Sequence, residues 1–183
     1  TVLKSFDGGF YGSNLFRETH AKAFEGKLWK GETVYYEVVG FTHTGTPIMS
    51  TCDNKKLNDK EFIKQYGDIT TFSYGCEPTV TVGCQSDMYV YRMTSTNEDG
   101  EVVEYTPDFM RYRCEQMGVK CVPVFWRGFI PENPASATDP TISAGEWIQN
   151  KAEQFYDGPD PIGKTHVREG VVVRILNRPK FCA

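Results

Sequence analysis

The segment REGVVVRI, residues 168–175, places charged side chains on both sides of a short apolar run. In a strand, Glu169 would point to one face and Arg174 to the other, and Gly170 would let a ligand come close. A Glu169 carboxylate that lines a cavity could hold a hydrated divalent cation, because Mg²⁺ sites combine one or two carboxylates with phosphate oxygens. The alternative is a plain strand whose charged ends lie in water.

Two further segments place polar side chains among apolar ones. In VYYEVVGF, Glu37 lies within a predicted central strand, where an unpaired carboxylate would be costly. Its partner is either a ligand hydroxyl or a structural lysine or arginine. In MYVYRMTS, alternation puts Tyr89 and Tyr91 on one face and Arg92 on the other. A tyrosine there could stack on a nucleobase, although an alternating aromatic strand is also typical of a core.

In this order, VYYEVVG, MYVYRM and REGVVVR resemble the third, third-a and fourth nucleotidyltransferase motifs of ATP-dependent RNA ligases. That family shares its fold with DNA ligases and mRNA-capping enzymes. The resemblance implies that Glu37 contacts the nucleotide ribose, that Gly40 lies beside the nucleotide, and that Tyr91 stacks on adenine. It also implies that Glu169 supports the catalytic metal and the phosphoryl step. Arg174 would face the phosphates of the nucleotide or RNA and would serve both binding and catalysis.

The two lysine motifs of the same family are not matched. The family nucleophile lies in K-x-(D/H/N)-G, whereas KSFDG has one residue too many between Lys4 and Asp7. On a strand, a slip of one residue moves a side chain to the other face. We therefore expect the nucleophile upstream of Thr1, and Lys180 stands alone where a lysine pair is expected. The prediction is a single nucleotidyltransferase-like domain over residues 1–183, incomplete at both ends.

The resemblance implies an RNA ligase that uses ATP and Mg²⁺, or Mn²⁺, to join an RNA 5′-phosphate to a 3′-hydroxyl. A lysine would attack the α-phosphate of ATP, AMP would pass to the RNA 5′-phosphate, and the 3′-hydroxyl would displace AMP. The expected partners are ATP and RNA ends. Two alternatives stay open: a DNA ligase or capping-type enzyme, and a non-catalytic module that binds nucleotides or RNA ends. The missing lysines favour the second.

Composition argues against several other classes of protein. With 20 basic and 24 acidic residues, a net charge of -4 disfavours coating of nucleic acid by bulk positive charge, although a local basic site is compatible with it. No apolar run approaches the roughly 18 residues of a membrane span. The six cysteines form no C-x-x-C pair and the three histidines are scattered, which disfavours a zinc site. Without a signal segment, we expect reduced thiols and a cytoplasmic protein.

Helical and strand patterns alternate along the chain. Helices are predicted from residue 15 to a stop at Gly26, from an Asn58 cap to Gly67, from Pro107 to Gly118, and over residues 144–156 after a Ser143 cap. Strands are predicted over residues 32–42, 79–82, 88–95, 101–105, 121–129 and 169–175, with a hairpin turn at 97–100 and a loop at 131–143. The predicted fold class is α+β, mainly antiparallel sheets with flanking helices. The resemblance makes it a ligase-type, ATP-grasp-like nucleotidyltransferase domain.

Overall fold

The structure is a computed structural model. It describes residues 15–44, 46, 48, 51–53, 58–66, 71–73, 86–136, 138–162 and 170–175. The predicted strand at 79–82, Glu169 and both lysines of the unmatched motifs, Lys4 and Lys180, lie outside these residues.

A four-stranded sheet lies at the centre of the described structure. Its strands are β1 (Glu32–Gly40), β4 (Ser86–Thr96), β5 (Val102–Glu104) and β6 (Lys120–Cys121). β4 is antiparallel to β1 and β5 and parallel to β6. A separate antiparallel pair joins β2 (Thr51–Asp53) to β3 (Thr71–Ser73).

Helices flank the sheet, which confirms the mixed, mainly antiparallel fold class. They are α1 (Leu15–Ala21), followed by a 3-10 turn (Lys22–Phe24), α2 (Lys60–Tyr66), α3 (Pro107–Met117) and α4 (Ala144–Glu153). The first and last α-helices end earlier than predicted. The predicted Asn58 cap is wrong, because Asp59 precedes α2 and its carboxylate accepts the Glu61 N–H at 3.0 Å. No described helix combines the length and the apolar composition that crossing a membrane requires.

Helix α3 covers one face of the sheet, here called the inner face. Thr106 caps the helix through the Phe109 N–H, and Gly118 ends it with φ 70°, a left-handed conformation that suits glycine. Buried side chains of the helix pack against those of β4 and the 3-10 turn, forming a core of Phe24, Met88, Val90, Met93, Met110, Cys114 and Met117. This core fixes the sheet and leaves the opposite face for other contacts.

A buried ion pair joins α3 to the start of β1. Arg113 donates from Nε and Nη2 to the two Glu32 oxygens, at 2.8 and 2.7 Å, and their side chains are 3% and 0% exposed. Burial alone would raise the pKa of Glu32, but hydrogen bonds from Arg113, the Trp29 N–H and the Tyr105 hydroxyl outweigh it and lower that pKa. The carboxylate is therefore charged in the folded protein at neutral pH.

A β-bulge in β4 corrects the predicted orientation of Arg92. Tyr35 pairs with Arg92 and Tyr36 pairs with Val90, so Tyr91 is an extra residue opposite Tyr35. An extra residue changes the parity of the strand beyond it, because side chains alternate with period two. Arg92 therefore lies on the same face as Tyr91, not on the opposite face as the alternation predicted.

Two predicted strands are wrong over the described residues. Around the strand predicted over 121–129, pairing is limited to β6 (Lys120–Cys121) and one further hydrogen bond, from Val122 N to Val90 O. The ladder ends there because Pro123 has no N–H to donate. Residues 170–175 form no strand, and Arg174 makes a single isolated bridge. Val172 is 70% exposed there, whereas Val171 and Val173 are half-buried.

Candidate functional site

The sheet face opposite α3, here called the outer face, carries the polar side chains that the motifs singled out. The strand register places on it Tyr35, Glu37, Tyr89, Tyr91, Arg92 and Glu104. These residues come from three strands that are distant in sequence. Pairing of β4 with both β1 and β5 brings them together.

Glu37 lies near the middle of β1, directly opposite Tyr89. Its side chain is exposed, which corrects the prediction of a buried carboxylate in a central strand. The reason is that β1 is an edge strand of the described sheet and its outer face is open at this position. A buried structural cation is therefore unnecessary at Glu37, and the carboxylate is accessible to a ligand hydroxyl.

Tyr91 presents an accessible ring beside this carboxylate. It is 38% exposed, and its ring centroid lies 6.4 Å from that of Tyr35. It is the second residue after Tyr89, which pairs directly with Glu37, so Tyr91 and Glu37 lie on neighbouring strands. By contrast, Tyr89 is 7% exposed and packs with Val39. Tyr91 is thus the better placed of the two to stack on a planar ligand.

Arg174 joins the outer face through Glu104. Its Nη1 lies 3.5 Å from Glu104 Oε1, and Arg92 Nη2 lies 3.1 Å from Glu104 Oε2. The Glu104 side chain is 6% exposed, so the carboxylate is held between two guanidinium groups. Two cations share one anion, and the group keeps one net positive charge.

Hydrogen bonding in this group is incomplete within the described part of the chain. Arg92 Nε and Glu104 Oε1 are buried, and neither has a hydrogen-bond partner there. Buried polar atoms are normally satisfied, so the unpaired Arg92 Nε departs from the usual pattern. Arg92 also lies over the Tyr35 ring, 4.8 Å from its centroid, which fixes the guanidinium close to Tyr91.

Lys120 extends the outer face across the sheet to β6. It pairs with Tyr89 in the parallel register, so Glu37, Tyr89 and Lys120 form one row across three strands. Its Nζ lies 2.6 Å from Asp87 Oδ2, which also accepts a hydrogen bond from the Tyr89 hydroxyl at 3.2 Å. This row ends in a cation that is already paired with a carboxylate.

Sequence reasoning missed both Glu104 and Lys120. For Glu104 no local signal existed, because its burial depends on the pairing of β5 with β4 and on its two arginine partners. For Lys120 no local signal existed, since its place depends on a two-residue strand pairing in parallel with β4.

The remaining predicted site residues have different outcomes. Gly40 is buried at the end of β1, opposite Ser86, with φ 99°, where a side chain would be strained. Glu169, the predicted magnesium ligand, lies outside the described residues. Among the residues that are described, no three His, Cys, Asp or Glu side chains converge on a possible metal position. The metal site is therefore still a prediction from the resemblance.

A cleft of about 500 Å³ opens at the β6 edge of the sheet, not over Tyr91. Tyr89 and Lys120 reach it from the outer face, and Cys114 and Cys121 reach it from the inner side. The candidate site is identified by the chemistry of the outer face, on which Glu37 and Tyr91 are exposed.

Comparison with known proteins does not assign a family to the chain. No protein-family model matches it, and no curated protein is significantly similar to it.

Proposed function

We propose that this chain is the nucleotidyltransferase domain of an RNA ligase and that it binds ATP on the outer face of its sheet. One observation carries the proposal. Glu37, Tyr91 and Arg174 come from three separate motifs, and the described fold brings all three to the same face. Residues that bind one ligand must converge on one surface, so this arrangement supports the proposal.

The exposed chemistry of this face suits a nucleotide. The Tyr91 ring can stack on a base, an interaction of about 1–3 kcal/mol. The Glu37 carboxylate, exposed on the same face, can accept hydrogen bonds from ribose hydroxyls. The net positive charge of Arg92, Arg174 and Glu104 suits a phosphate.

These residues would bind and orient the nucleotide for transfer of AMP. In the proposed reaction a lysine attacks the α-phosphate and pyrophosphate leaves. AMP then passes to an RNA 5′-phosphate, and the RNA 3′-hydroxyl displaces it. Guanidinium groups fixed beside the phosphates would stabilise the negative charge that develops in each transition state. Mg²⁺ or Mn²⁺, when bound, would offset further phosphate charge, with Glu169 as its proposed ligand.

Binding and chemistry are tested separately. Titration calorimetry with ATP should show that Tyr91→Ala weakens binding about 5- to 150-fold, the equivalent of about 1–3 kcal/mol. Tyr112→Ala is the matched control, because Tyr112 is 50% exposed on α3, the helix on the inner face. Its affinity for ATP should equal that of the wild type. An equal loss of ATP affinity in both variants would exclude the outer face as the binding site.

Covalent chemistry is tested on the intact gene product, including any residues before Thr1. Incubation with α-labelled ATP and Mg²⁺ should leave acid-stable label on the protein, and Glu169→Ala should abolish it. Label that then passes to 5′-phosphorylated RNA, but not to DNA or to a diphosphate RNA end, would distinguish an RNA ligase from a DNA ligase or capping-type enzyme. ATP binding without label would instead support a non-catalytic nucleotide- or RNA-end-binding module.

A further inference from the structure

Two cysteines lie together at the junction of α3 and β6, on the inner side of the sheet. Gly118 ends α3 in a left-handed conformation, and the Val119 N–H then donates to Cys114 O at 3.0 Å. This turn brings Cys121, in β6, back against the core to which Cys114 belongs, and both side chains line the same cleft. Both are free thiols.

The two thiols differ in their access to solvent. Cys114 is 1% exposed and belongs to the buried core, whereas Cys121 is half-buried and packs against the edge of that core. Both line the open cleft of about 500 Å³, which Arg111 and Lys120 also line. A water-sized oxidant can therefore reach Cys121.

The surroundings of Cys114 suit the second, resolving thiol. Burial, followed by the neighbouring Cys121 sulfur, raises the pKa of Cys114 to about 12, so this thiol keeps its proton at neutral pH. A protonated, buried thiol is inert toward oxidants in solvent. The half-buried Cys121 packs against the core that contains Cys114, and both line one cleft. A disulfide bond is about 2.05 Å long, so the proposed bond forms when the two sulfurs approach to that distance.

We propose that Cys114 and Cys121 are a redox-active dithiol that hydrogen peroxide oxidises to an intramolecular disulfide joining α3 to β6. In the first step the Cys121 sulfur attacks the peroxide, an S–O bond forms, the O–O bond breaks and one water leaves. In the second, the Cys114 sulfur attacks the Cys121 sulfur, the S–O bond breaks, and the Cys114 proton leaves with the oxygen as a second water. Two thiols and one peroxide give one disulfide and two waters. This inference does not depend on ATP binding.

Tryptic mapping gives a direct test, because cleavage after Arg113, Lys120 and Arg127 separates the two thiols into single-cysteine peptides CEQMGVK and CVPVFWR. The reduced, folded protein is treated with stoichiometric hydrogen peroxide, alkylated with N-ethylmaleimide, digested and analysed by mass spectrometry. The expected product is the two peptides joined by a disulfide, with the loss of two hydrogens and of two alkylation sites per chain. Reductant should restore both sites.

Variants separate the roles of the two thiols. Cys121→Ser should leave Cys114 unmodified, and Cys114→Ser should let Cys121 proceed to the sulfinic acid, because no resolving thiol remains. Cys182→Ser is the control and should give the wild-type map. The proposal is overturned if folded wild-type protein gives Cys121 sulfinic acid or alkylated Cys121 without the joined peptides. That wild-type map decides the question even where a variant does not fold.

Discussion

Replacing Arg113 by methionine should remove a large part of the stability of the fold. Arg113 makes four side-chain hydrogen bonds, two to Glu32, one to Lys27 O at 2.9 Å and one to Gln116 Oε1 at 2.6 Å. Its guanidinium also lies 3.8 Å from the centroid of the Trp29 ring. The variant keeps an apolar stem of similar length but leaves the Glu32 carboxylate, 0% exposed, without a cation.

The expected loss follows from that uncompensated charge. Breaking a buried ion pair by removing one partner costs about 3–5 kcal/mol. Since a whole domain is stable by about 5–15 kcal/mol, this is a large fraction of the free energy of unfolding. Urea denaturation with linear extrapolation measures it. Lys30→Met is the control, because the Lys30–Glu98 pair is 87% exposed on both sides and should contribute nothing measurable.

The loss of stability in Arg113→Met should also depend on pH. In the wild type the pKa of Glu32 is lowered, so its contribution is present above the unfolded pKa of about 4.3 and is lost as pH falls through the folded value. In Arg113→Met, burial of Glu32 without its cation favours the protonated carboxyl group. The difference in free energy of unfolding between wild type and variant should therefore narrow as pH falls from about 7 to about 4. Adding Glu32→Gln to Arg113→Met should recover most of the loss at neutral pH.

Two outcomes would refute this reasoning about the buried pair. One is a loss below about 1 kcal/mol for Arg113→Met at neutral pH, the range of an exposed pair. The other is a difference in free energy of unfolding between variant and wild type that stays constant from about pH 7 to about pH 4. An unpaired buried carboxylate must take up a proton within that range.

Two further predictions concern local structure. Gly31→Ala should lower the free energy of unfolding, measured by urea denaturation, far more than Gly100→Ala. Both glycines have positive φ, 86° and 82°, so alanine would cost about 1–2 kcal/mol at either position. Only at Gly31 would the new Cβ also lie 2.2 Å from Thr96 O. Equal losses would contradict the close contact of those two backbones. Ser143→Ala should cost about 1 kcal/mol by thermal denaturation, since the Ser143 hydroxyl accepts the Glu146 N–H at the start of α4, and Ser143→Asp should retain the cap. An unchanged melting temperature for Ser143→Ala would argue against that cap.

Local signals in the sequence predicted the elements that depend on local chemistry. Pro107 and Gly118 bracket α3 as expected, and the turn at 97–100 joins β4 to β5. A Ser143 cap with Glu146 three residues later marks the start of α4. Each of these signals acts within a few residues, so the rest of the fold is not needed to read it.

Features that depend on a distant partner were not predictable in the same way. The bulge at Tyr91 arises from pairing with β1, and it alone decides the face of Arg92. Residues 170–175 have a strand-like composition but no ladder, because a strand requires a neighbour as well as a sequence. In the candidate site, the motifs named Glu37, Tyr91 and Arg174, while the buried Glu104 that connects Arg174 to the sheet became visible only with the fold.

The central claim, that a nucleotide binds on the outer face, is tested most directly by photocrosslinking with 8-azido-ATP followed by tryptic mapping. Cleavage after Lys64 and Arg92 places Tyr91 in one peptide, residues 65–92. We predict that label appears in this peptide, that excess ATP removes it, and that Tyr91→Ala lowers it. Label concentrated in residues 128–151, which include most of α4, would contradict the claim.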